Sequence, residues 1–136
     1  MAFPMLKNLK DTLLHWSPQL NAINQDLQDN QDRYILNTVV PTRKIWLNGE
    51  RVYRKVIDFG ALPNAGTKLV AHNISAKFFL APKGVATAGV LTVALPHVST
   101  TPANQVNMFI NNTNVSITTG TNFSPYNAYI ILEFVK

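Results

Sequence analysis

The dipeptide Asn48-Gly49 constrains the fold of this chain more than any other short stretch, because it separates two runs of β-branched and aromatic residues. This arrangement is the strongest short-range signal for a β-hairpin. A two-residue type I′ turn needs positive φ at both central positions, which Asn tolerates and Gly adopts freely. The predicted register pairs Leu47 with Glu50, Trp46 with Arg51, Ile45 with Val52 and Lys44 with Tyr53.

The predicted hairpin has one apolar face and one mixed face. The apolar face is expected to be core, and its members are Ile45, Leu47, Val52, Val56 and the stem of Arg54. Cations and aromatic rings alternate on the other face, in cross-strand contact. We expect this basic-aromatic face to lie on a wet interface or under another strand. Its members are Lys44, Trp46, Arg51, Tyr53 and Lys55.

From residue 44 onward the sequence predicts only β-structure. The candidate strands are 43–47, 50–59, 68–74, 77–81, 88–95, 105–111, 114–119 and 126–135. The breaks between them hold turn formers, Pro82-Lys83-Gly84 among them. Short strands at this spacing predict an antiparallel β-sandwich or jelly-roll domain over residues 41–136. The last strand is apolar on both faces, so we place it centrally or against another subunit.

Residues 1–40 follow a different pattern, in which apolar residues recur at alternating steps of three and four through about four heptads. We call these positions the helical seam: Leu6, Leu9, Leu13, Trp16, Leu20, Ile23, Leu27, Asn30 and Tyr34. The spacing is typical of a coiled coil. Ser17-Pro18 fits an N-cap followed by a first-turn proline. The predicted structure is therefore a helix of residues 5–16, a kink, and a second helix of residues 18–32.

A single helix cannot bury a seam this narrow by itself, which leaves two alternatives. In the first, several copies join through the seam, and residues 1–40 form an oligomerisation and attachment segment. Asn30 at a d position then resembles the polar core residues that set register and strand number. In the second, the two helices fold back on the β-domain of the same chain. The spacing does not choose between two, three and four strands.

Composition limits the classes of function. Charged residues make up 14% of the chain, cysteine is absent, and neutral Asn, Thr, Gln and Ser fill the polar positions. The lack of cysteine excludes disulfides and Cys-based metal sites. No run approaches the roughly 20 apolar residues of a membrane span, and the first residues lack the pattern of a signal peptide. We expect a soluble protein made in the cytoplasm and exported, if at all, as part of a particle.

Neither catalysis nor a cofactor is expected. The carboxylates of the β-domain, Glu50, Asp58 and Glu133, are isolated in sequence, and no Gly-x-Ser-x-Gly elbow is present. His72 and His97 lack metal-ligand spacing, and we expect His72 to be a hydrogen-bonded core or interface residue. The β-domain carries nine cations against three acids, which suits an anionic partner or simply solvates the hairpin. The sequence runs of nucleic-acid readers are missing, so a nucleic-acid partner is not expected.

Three neutral loops are the remaining candidates for recognition. Amide and hydroxyl groups match sugar hydroxyls, and an aromatic ring could stack on a sugar face. For any single residue, ordinary loop chemistry in an Asn-rich chain is the alternative. The candidate receptor- or saccharide-binding residues are Asn104, Gln105, Asn112, Asn114, Asn122, Phe123 and Tyr126.

The stretch Trp46–Ile57, continued by residues 58–64 and 70–74, resembles a segment that recurs in bacteriophage virion proteins. The pattern there is Trp-Ile-Asp-Gly-Lys-Pro-Ile-Tyr-Arg-Lys, a short loop, an Asn/Ala-rich turn and a His-Asn/Gly-Ile strand. This chain has Asn for the usual Asp and Glu-Arg for Lys-Pro, and both changes keep the turn chemistry. The resemblance covers residues 44–75 and 126–136, under half of the chain.

The resemblance implies a tail fibre or receptor-binding protein, located in the virion and generally a homotrimer. The N-terminal helices would then oligomerise and dock to other virion proteins. The β-domain would recognise a saccharide or protein of the host surface. The alternative is a purely structural role, as a head fibre, capsid decoration or tail adaptor protein.

Overall fold

The computed structural model describes residues 20–22 and 33–136. Of the predicted N-terminal helices, residues 20–22 are helical and exposed. The rest of both predicted helices lies outside the described residues. So do most positions of the helical seam, namely Leu6, Leu9, Leu13, Trp16, Ile23, Leu27 and Asn30.

The chain divides into two compact units, residues 1–33 and residues 34–136. The division falls before the predicted boundary because residues ahead of β1 already pair with a strand. The Asn37 N–H donates to the Val56 carbonyl oxygen at 2.8 Å. Tyr34 is not helical, and its ring lies 4.6 Å from the Arg54 guanidinium carbon. The spacing had included Tyr34 in the helical seam. The structure instead places Tyr34 outside a helix, with its ring against Arg54 of β2.

The second unit is mainly β and contains two antiparallel sheets, which confirms the predicted class. Its strands are β1 (Val40–Ile45), β2 (Arg51–Ala61), β3 (Thr67–Ala71), β4 (Phe78–Ala88), β5 (Leu91–Leu95), β6 (Val106–Ile110), β7 (Asn114–Thr119) and β8 (Asn127–Val135), with a short 3₁₀ helix at Pro102–Asn104. The larger sheet has the order β1-β2-β8-β4-β5 and the smaller one β3-β7-β6. The two sheets share one hydrophobic core.

β8 lies in the middle of the larger sheet, which confirms the position predicted from its two apolar faces. Its inward side chains alternate along the strand, as the pleat requires. They are almost completely buried: Ala128, Ile130, Leu132 and Phe134. Val115 and Ile117 of β7, also fully buried, meet this row from the smaller sheet.

The first hairpin forms where it was predicted, but the predicted turn type and register are wrong. Ile45, not Trp46, pairs with Arg51. The Trp46 N–H donates to the Glu50 carbonyl at 2.7 Å, and the Gly49 N–H donates to the Trp46 carbonyl at 2.9 Å. Within the loop of this hairpin, only Gly49 has positive φ, at 85°. This is a three-residue loop ending in a left-handed glycine, a form that the same dipeptide also suits.

The changed register alters which side chains of the hairpin are buried. Val52, Val56 and Arg54 are buried, but they lie on the side of β2 away from the shared core, so the prediction that they form the core face is wrong. Leu47 is 91% exposed and Ile45 56% exposed, so their assignment to the core is wrong. β1 is an edge strand and its pairing with β2 shifts between Pro41 and Ile45, which turns the tip of the hairpin away from the core.

The predicted break at Pro82-Lys83-Gly84 is also wrong, because β4 continues through it to Ala88. The pairing of β4 with β8 shifts between Leu80 and Lys83, so Pro82 sits in a bulge. At Gly84 a Cβ would approach the Ile130 Cδ1 atom to 2.7 Å. Glycine is therefore needed here for close strand approach, and the chain reverses later, at Gly89.

On one side of the sandwich, where β2 lies beside β3, lysine ammonium groups connect the two sheets. Lys55 Nζ donates to the His72 carbonyl at 2.8 Å. Lys68 Nζ donates to the carbonyls of Phe59 at 2.9 Å and Ala61 at 2.8 Å. We call this the lysine side.

On the opposite side, where β4 and β5 lie beside β6, the hydrogen bonds found between the sheets in the described part of the chain are backbone bonds. His97 and Val106 exchange two N–H···O bonds, both of 3.0 Å. Beyond that pair lies an open groove of about 400 Å³. It is lined by Phe79, Pro82, Pro96, Met108, Phe109 and Ile110. We call this the proline side.

Candidate ligand-binding groove

Two loops meet at one end of the sandwich: residues 72–77, between β3 and β4, and residues 111–113, between β6 and β7. The His72 side chain, 1% exposed, joins them. Its Nδ1 atom accepts the Ile74 N–H at 3.0 Å. Its Nε2 atom lies 2.8 Å from the Asn111 carbonyl oxygen. Because Nδ1 accepts, the neutral ring carries its proton on Nε2 and donates it to that carbonyl.

The backbone of His72 is held as well. Its N–H donates to the Thr113 carbonyl at 3.1 Å, and its carbonyl accepts the Lys55 ammonium on the lysine side. The Phe79 ring meets the imidazole edge-on at a centroid distance of 5.1 Å. These contacts confirm the prediction that His72 is a hydrogen-bonded buried histidine.

The opposite loop is shaped by Asn111. Its Oδ1 atom accepts the backbone N–H groups of Thr113 at 2.9 Å and Asn114 at 2.7 Å, an Asx turn of the kind that short Asn side chains form. The Asn111 N–H donates to the Asn114 carbonyl at 3.1 Å. Both loops are thus fixed by their own hydrogen bonds and by His72 between them.

Two adjoining open grooves, of about 480 and 280 Å³, lie between these loops. We treat them as one end groove, since they share Ile74, Ser75 and Asn112. The full lining is Ala71, Asn73, Ile74, Ser75, Ala76, Phe79, Asn112 and Thr113. The lining contains polar and apolar side chains but no charged one.

Three side chains of the end groove are exposed and have no hydrogen-bond partner among the residues that the structure describes: Asn73, Ser75 and Asn112. Several backbone groups of the two loops are occupied by bonds to His72 and Asn111. The side-chain groups available to a ligand are neutral amides and a hydroxyl, held on a fixed frame.

The structure separates the predicted recognition residues. Asn112 and Asn114 lie at the end of the sandwich that holds the end groove. The other five are in loops at the opposite end of β6 and β7: Asn104, Gln105, Asn122, Phe123 and Tyr126. A strand of the length of β7 spans roughly 20 Å, so the predicted residues cannot form one site.

At that opposite end the polar and aromatic groups serve the loops themselves. The rings of Phe123 and Tyr126 are half-buried, pack against the core and lie 5.6 Å apart. Gln105 Nε2 donates to the Ser99 carbonyl at 3.1 Å. Asn122 Oδ1 accepts the Ser124 N–H at 2.9 Å. Asn104 is exposed on the 3₁₀ helix.

The basic-aromatic face of the first hairpin does not form a single surface. Tyr53 and Lys55 point inward, where the Tyr53 ring stacks on Phe134 at 6.1 Å and Lys55 is buried. Their orientation follows from the alternation of β2, which also turns Ile57 inward. This half of the face lies under the smaller sheet, as one of the two expectations had it, but on the core side that was predicted for the apolar face.

The other half of the basic-aromatic face lies near the tip of the hairpin. Lys44 and Arg51 are exposed, and Lys44 Nζ lies 3.0 Å from a Glu133 carboxylate oxygen. Trp46 is half-buried with its ring 5.6 Å from that of Phe78. Lys44 and Trp46 sit on the outer face of the larger sheet, whereas Arg51 alternates with Val52 and belongs to the other side of β2. None of the three lines the end groove.

Most residues of the end groove were not predicted as site residues. The sequence contained one signal for them, because the His72–Ile74 stretch belongs to the segment that resembles virion proteins. Their convergence with Asn112 depends on which loops the strand order brings to the same end, which no local pattern reveals.

Comparison with family models, with curated proteins and with solved structures gave no match. Within residues 33–136, no three metal-ligating side chains of His, Asp or Glu converge. No helix in the described part of the chain has the length and apolar character that crossing a membrane requires.

Proposed function

We propose that this chain is a bacteriophage virion protein, a tail fibre or receptor-binding protein whose β-domain recognises the host surface. The observation that carries the proposal is the end groove, since part of it is built from the segment that resembles virion proteins. Its frame is fixed by His72, and its free groups are neutral hydrogen-bonding side chains. The proposal assigns neither catalysis nor a cofactor to the chain.

In this proposal the N-terminal helical seam joins several copies, as a homotrimer, and attaches them to the particle. Each β-domain then presents one end groove. Weak sites held in a fixed geometry gain apparent affinity through effective concentration, commonly by factors of about 10² to 10⁴. A shallow, open groove is therefore sufficient for firm attachment to a cell surface.

Adsorption of the fluorescently labelled full chain to cells of the infected bacterium tests the proposal. We expect saturable adsorption and protection of the cells from infection. Asn112→Trp, which fills the end groove, should abolish both effects, while Asn104→Trp, at an exposed position of the opposite end, should retain them. Absence of adsorption at saturating concentration would instead favour the structural role.

Light scattering of the full chain tests the oligomer. We expect the mass of a trimer, and we expect Leu20→Asp combined with Leu27→Asp to dissociate it while Asn21→Asp does not. A monomeric wild-type chain would contradict the proposal. A double variant that unfolds as a monomer would indicate that the helices fold back within one chain.

The alternative, a structural role among virion proteins, is favoured by one separate observation. The outer face of the larger sheet exposes Phe78 and Tyr129. It also carries an open groove of about 450 Å³, lined in part by Trp46, Val52 and Leu80. Such a face suits contact with another protein. If this alternative holds, Tyr129→Lys should block incorporation into particles, and the Asn112→Trp variant should assemble normally.

A further inference from the structure

We propose that the end groove binds an uncharged saccharide, through the side chains of Asn73, Ser75 and Asn112 above an apolar floor that includes Ile74 and Phe79. This names the ligand class for the proposed recognition site and rests on the proposed function for its biological meaning. The argument depends on three properties of the groove: its lack of charge, its irregular and partly bonded backbone, and its mixed lining.

The lack of charge excludes ionic ligands as the preferred class. No Asp, Glu, Lys or Arg side chain lines the end groove. The ammonium of Lys55, behind the groove, is buried and directed at the His72 carbonyl. That of Lys77, in the loop 72–77 itself, is paired with the Glu50 carboxylate at 2.7 Å. An anionic sugar or a phosphate would lose hydration here without gaining a charged partner.

The occupied backbone argues against an extended peptide. A peptide that adds to a strand needs unpaired N–H and C=O groups along the edge. Here the carbonyls of Asn111 and Thr113 accept from His72, and the N–H groups of Ile74 and Thr113 donate to His72 and Asn111. The other backbone groups of residues 72–77 and 111–113 lie in irregular loops and form no continuous strand edge. The lining side chains supply the remaining polar groups.

That side-chain chemistry matches sugar hydroxyls. Each amide offers donors and an acceptor a short distance apart, so it can bond two neighbouring hydroxyls of one ring, and the Ser75 hydroxyl can donate or accept. Ile74 and Phe79 give the C–H faces of a sugar an apolar contact. The volume of about 480 Å³ of the larger part lies within the range of about 300–1,000 Å³ usual for small-molecule sites.

Preorganisation adds to the match. The loop positions are set by His72 and Asn111, so little conformational entropy is lost when a ligand binds. Asn73 has positive φ, at 53°. Glycine adopts this backbone conformation freely. Asn73→Gly therefore removes the amide and leaves the loop conformation accessible.

Saturation-transfer NMR on the full chain tests the inference directly. The probes are the methyl glycosides of glucose, galactose, mannose, rhamnose, N-acetylglucosamine and N-acetylgalactosamine, with glucuronic and sialic acids as anionic comparisons. We expect at least one neutral glycoside to bind and the acids to bind more weakly. Asn112→Ala and Asn73→Gly should each weaken binding by at least roughly tenfold, as expected for a lost hydrogen bond of about 1.4 kcal/mol.

Asn104→Ala, at the opposite end of the sandwich, is the matched control and should bind like the wild type. Unchanged methyl resonances of the core would show that each variant is folded. Binding of no neutral glycoside, stronger binding of the acids, or binding unaffected by Asn112→Ala would each overturn the inference.

The outcome is separable from that of the proposed function. If the labelled chain adsorbs to cells but no neutral glycoside binds it or competes, the ligand class is wrong and host recognition stands. If a neutral glycoside binds through Asn112 but the chain does not adsorb, the saccharide site stands and the proposed function falls.

Discussion

The two sides of the sandwich close the same core by different chemistry. On the lysine side, Lys55 and Lys68 donate from their ammonium groups to backbone carbonyls of the other sheet or of the loop that follows it. On the proline side, Pro82 and Pro96 have no N–H to offer, and past the His97–Val106 pair an apolar groove stays open. The strand order leaves a gap between the two sheets on each side of the sandwich. The residues at each gap decide whether hydrogen bonds bridge it.

The end groove adjoins both sides, since His72 is held from the lysine side and Phe79 also lines the groove of the proline side. Lys55 holds the His72 carbonyl, and His72 in turn holds both loops. The frame of the recognition site is therefore anchored from the bridged side, while the apolar residues of the unbridged side stay partly accessible. The following predictions test whether side chains account for this difference.

The largest effect is expected from the two histidines, one on each side. His72→Leu leaves the Ile74 N–H and the Asn111 carbonyl without their partner, and a buried unsatisfied group costs about 1–3 kcal/mol. We expect a loss of about 2–4 kcal/mol in the free energy of unfolding. His97 connects the two sheets through its backbone N–H and carbonyl, which His97→Leu retains. The free energy of unfolding of this variant should therefore fall by no more than about 0.5–1 kcal/mol.

Urea unfolding followed by the circular dichroism of the sheets measures both variants. Equal losses for His72→Leu and His97→Leu would mean that the imidazole of His72 adds nothing that an apolar side chain does not supply. The end-groove frame would then rest on the backbone alone.

How far the sequence determines this fold is shown by the strands themselves. Turn formers bound alternating runs, so β6, β7 and β8 lie within one residue of their predicted limits at either end. β4 could not be predicted in the same way, because Pro82 and Gly84 are usual turn residues. Here one occupies a bulge and the other permits close approach to Ile130. Only the neighbouring strand distinguishes these roles from a turn.

The candidate site was less predictable for a similar reason. Composition correctly marked Asn112 and the loop around it as neutral and polar, but it marked the loops around Asn104 and Asn122 equally. Which loops share an end follows from the direction of β6 and β7. The alternation of β2 likewise puts Lys55 and Ile57 on one face, while the position of the smaller sheet decides that this face is interior.

A smaller effect on the free energy of unfolding is expected from a substitution on the lysine side. Lys68→Met keeps the length of the side chain but removes the bonds to the carbonyls of Phe59 and Ala61. Because the Ala61 bond is exposed, we expect a loss of about 1 kcal/mol rather than the sum of two charged hydrogen bonds. Lys83→Met is the control, since Lys83 is exposed and makes no polar contact with the described residues.

Urea midpoints of the two lysine variants give the comparison, and Lys83→Met should change the free energy of unfolding by no more than about 0.5 kcal/mol. If Lys68→Met were neutral or stabilising, the lysine side would be closed by packing, and the contrast with the proline side would lose its electrostatic basis.

The smallest effect concerns single amides on the proline side and involves no mutation. Val106 directs its N–H toward His97, and backbone groups in an antiparallel strand alternate in direction. The N–H groups of Met108 and Ile110 therefore point away from β7 into the open groove, while that of Phe109 pairs with β7. We expect exchange with solvent deuterium to be on the order of tenfold or more faster at Met108 and Ile110 than at Phe109.

Val106 is the matched control for this measurement, because its N–H lies on the same edge of β6 and is bonded to the His97 carbonyl at 3.0 Å. It should be as protected as Phe109. If Met108 and Ile110 exchanged as slowly as Val106, hydrogen bonds would reach this edge in solution, and the proline side would be closed as fully as the lysine side. Fast exchange confined to these two amides would locate the opening at the end of β6 that lies nearest the end groove.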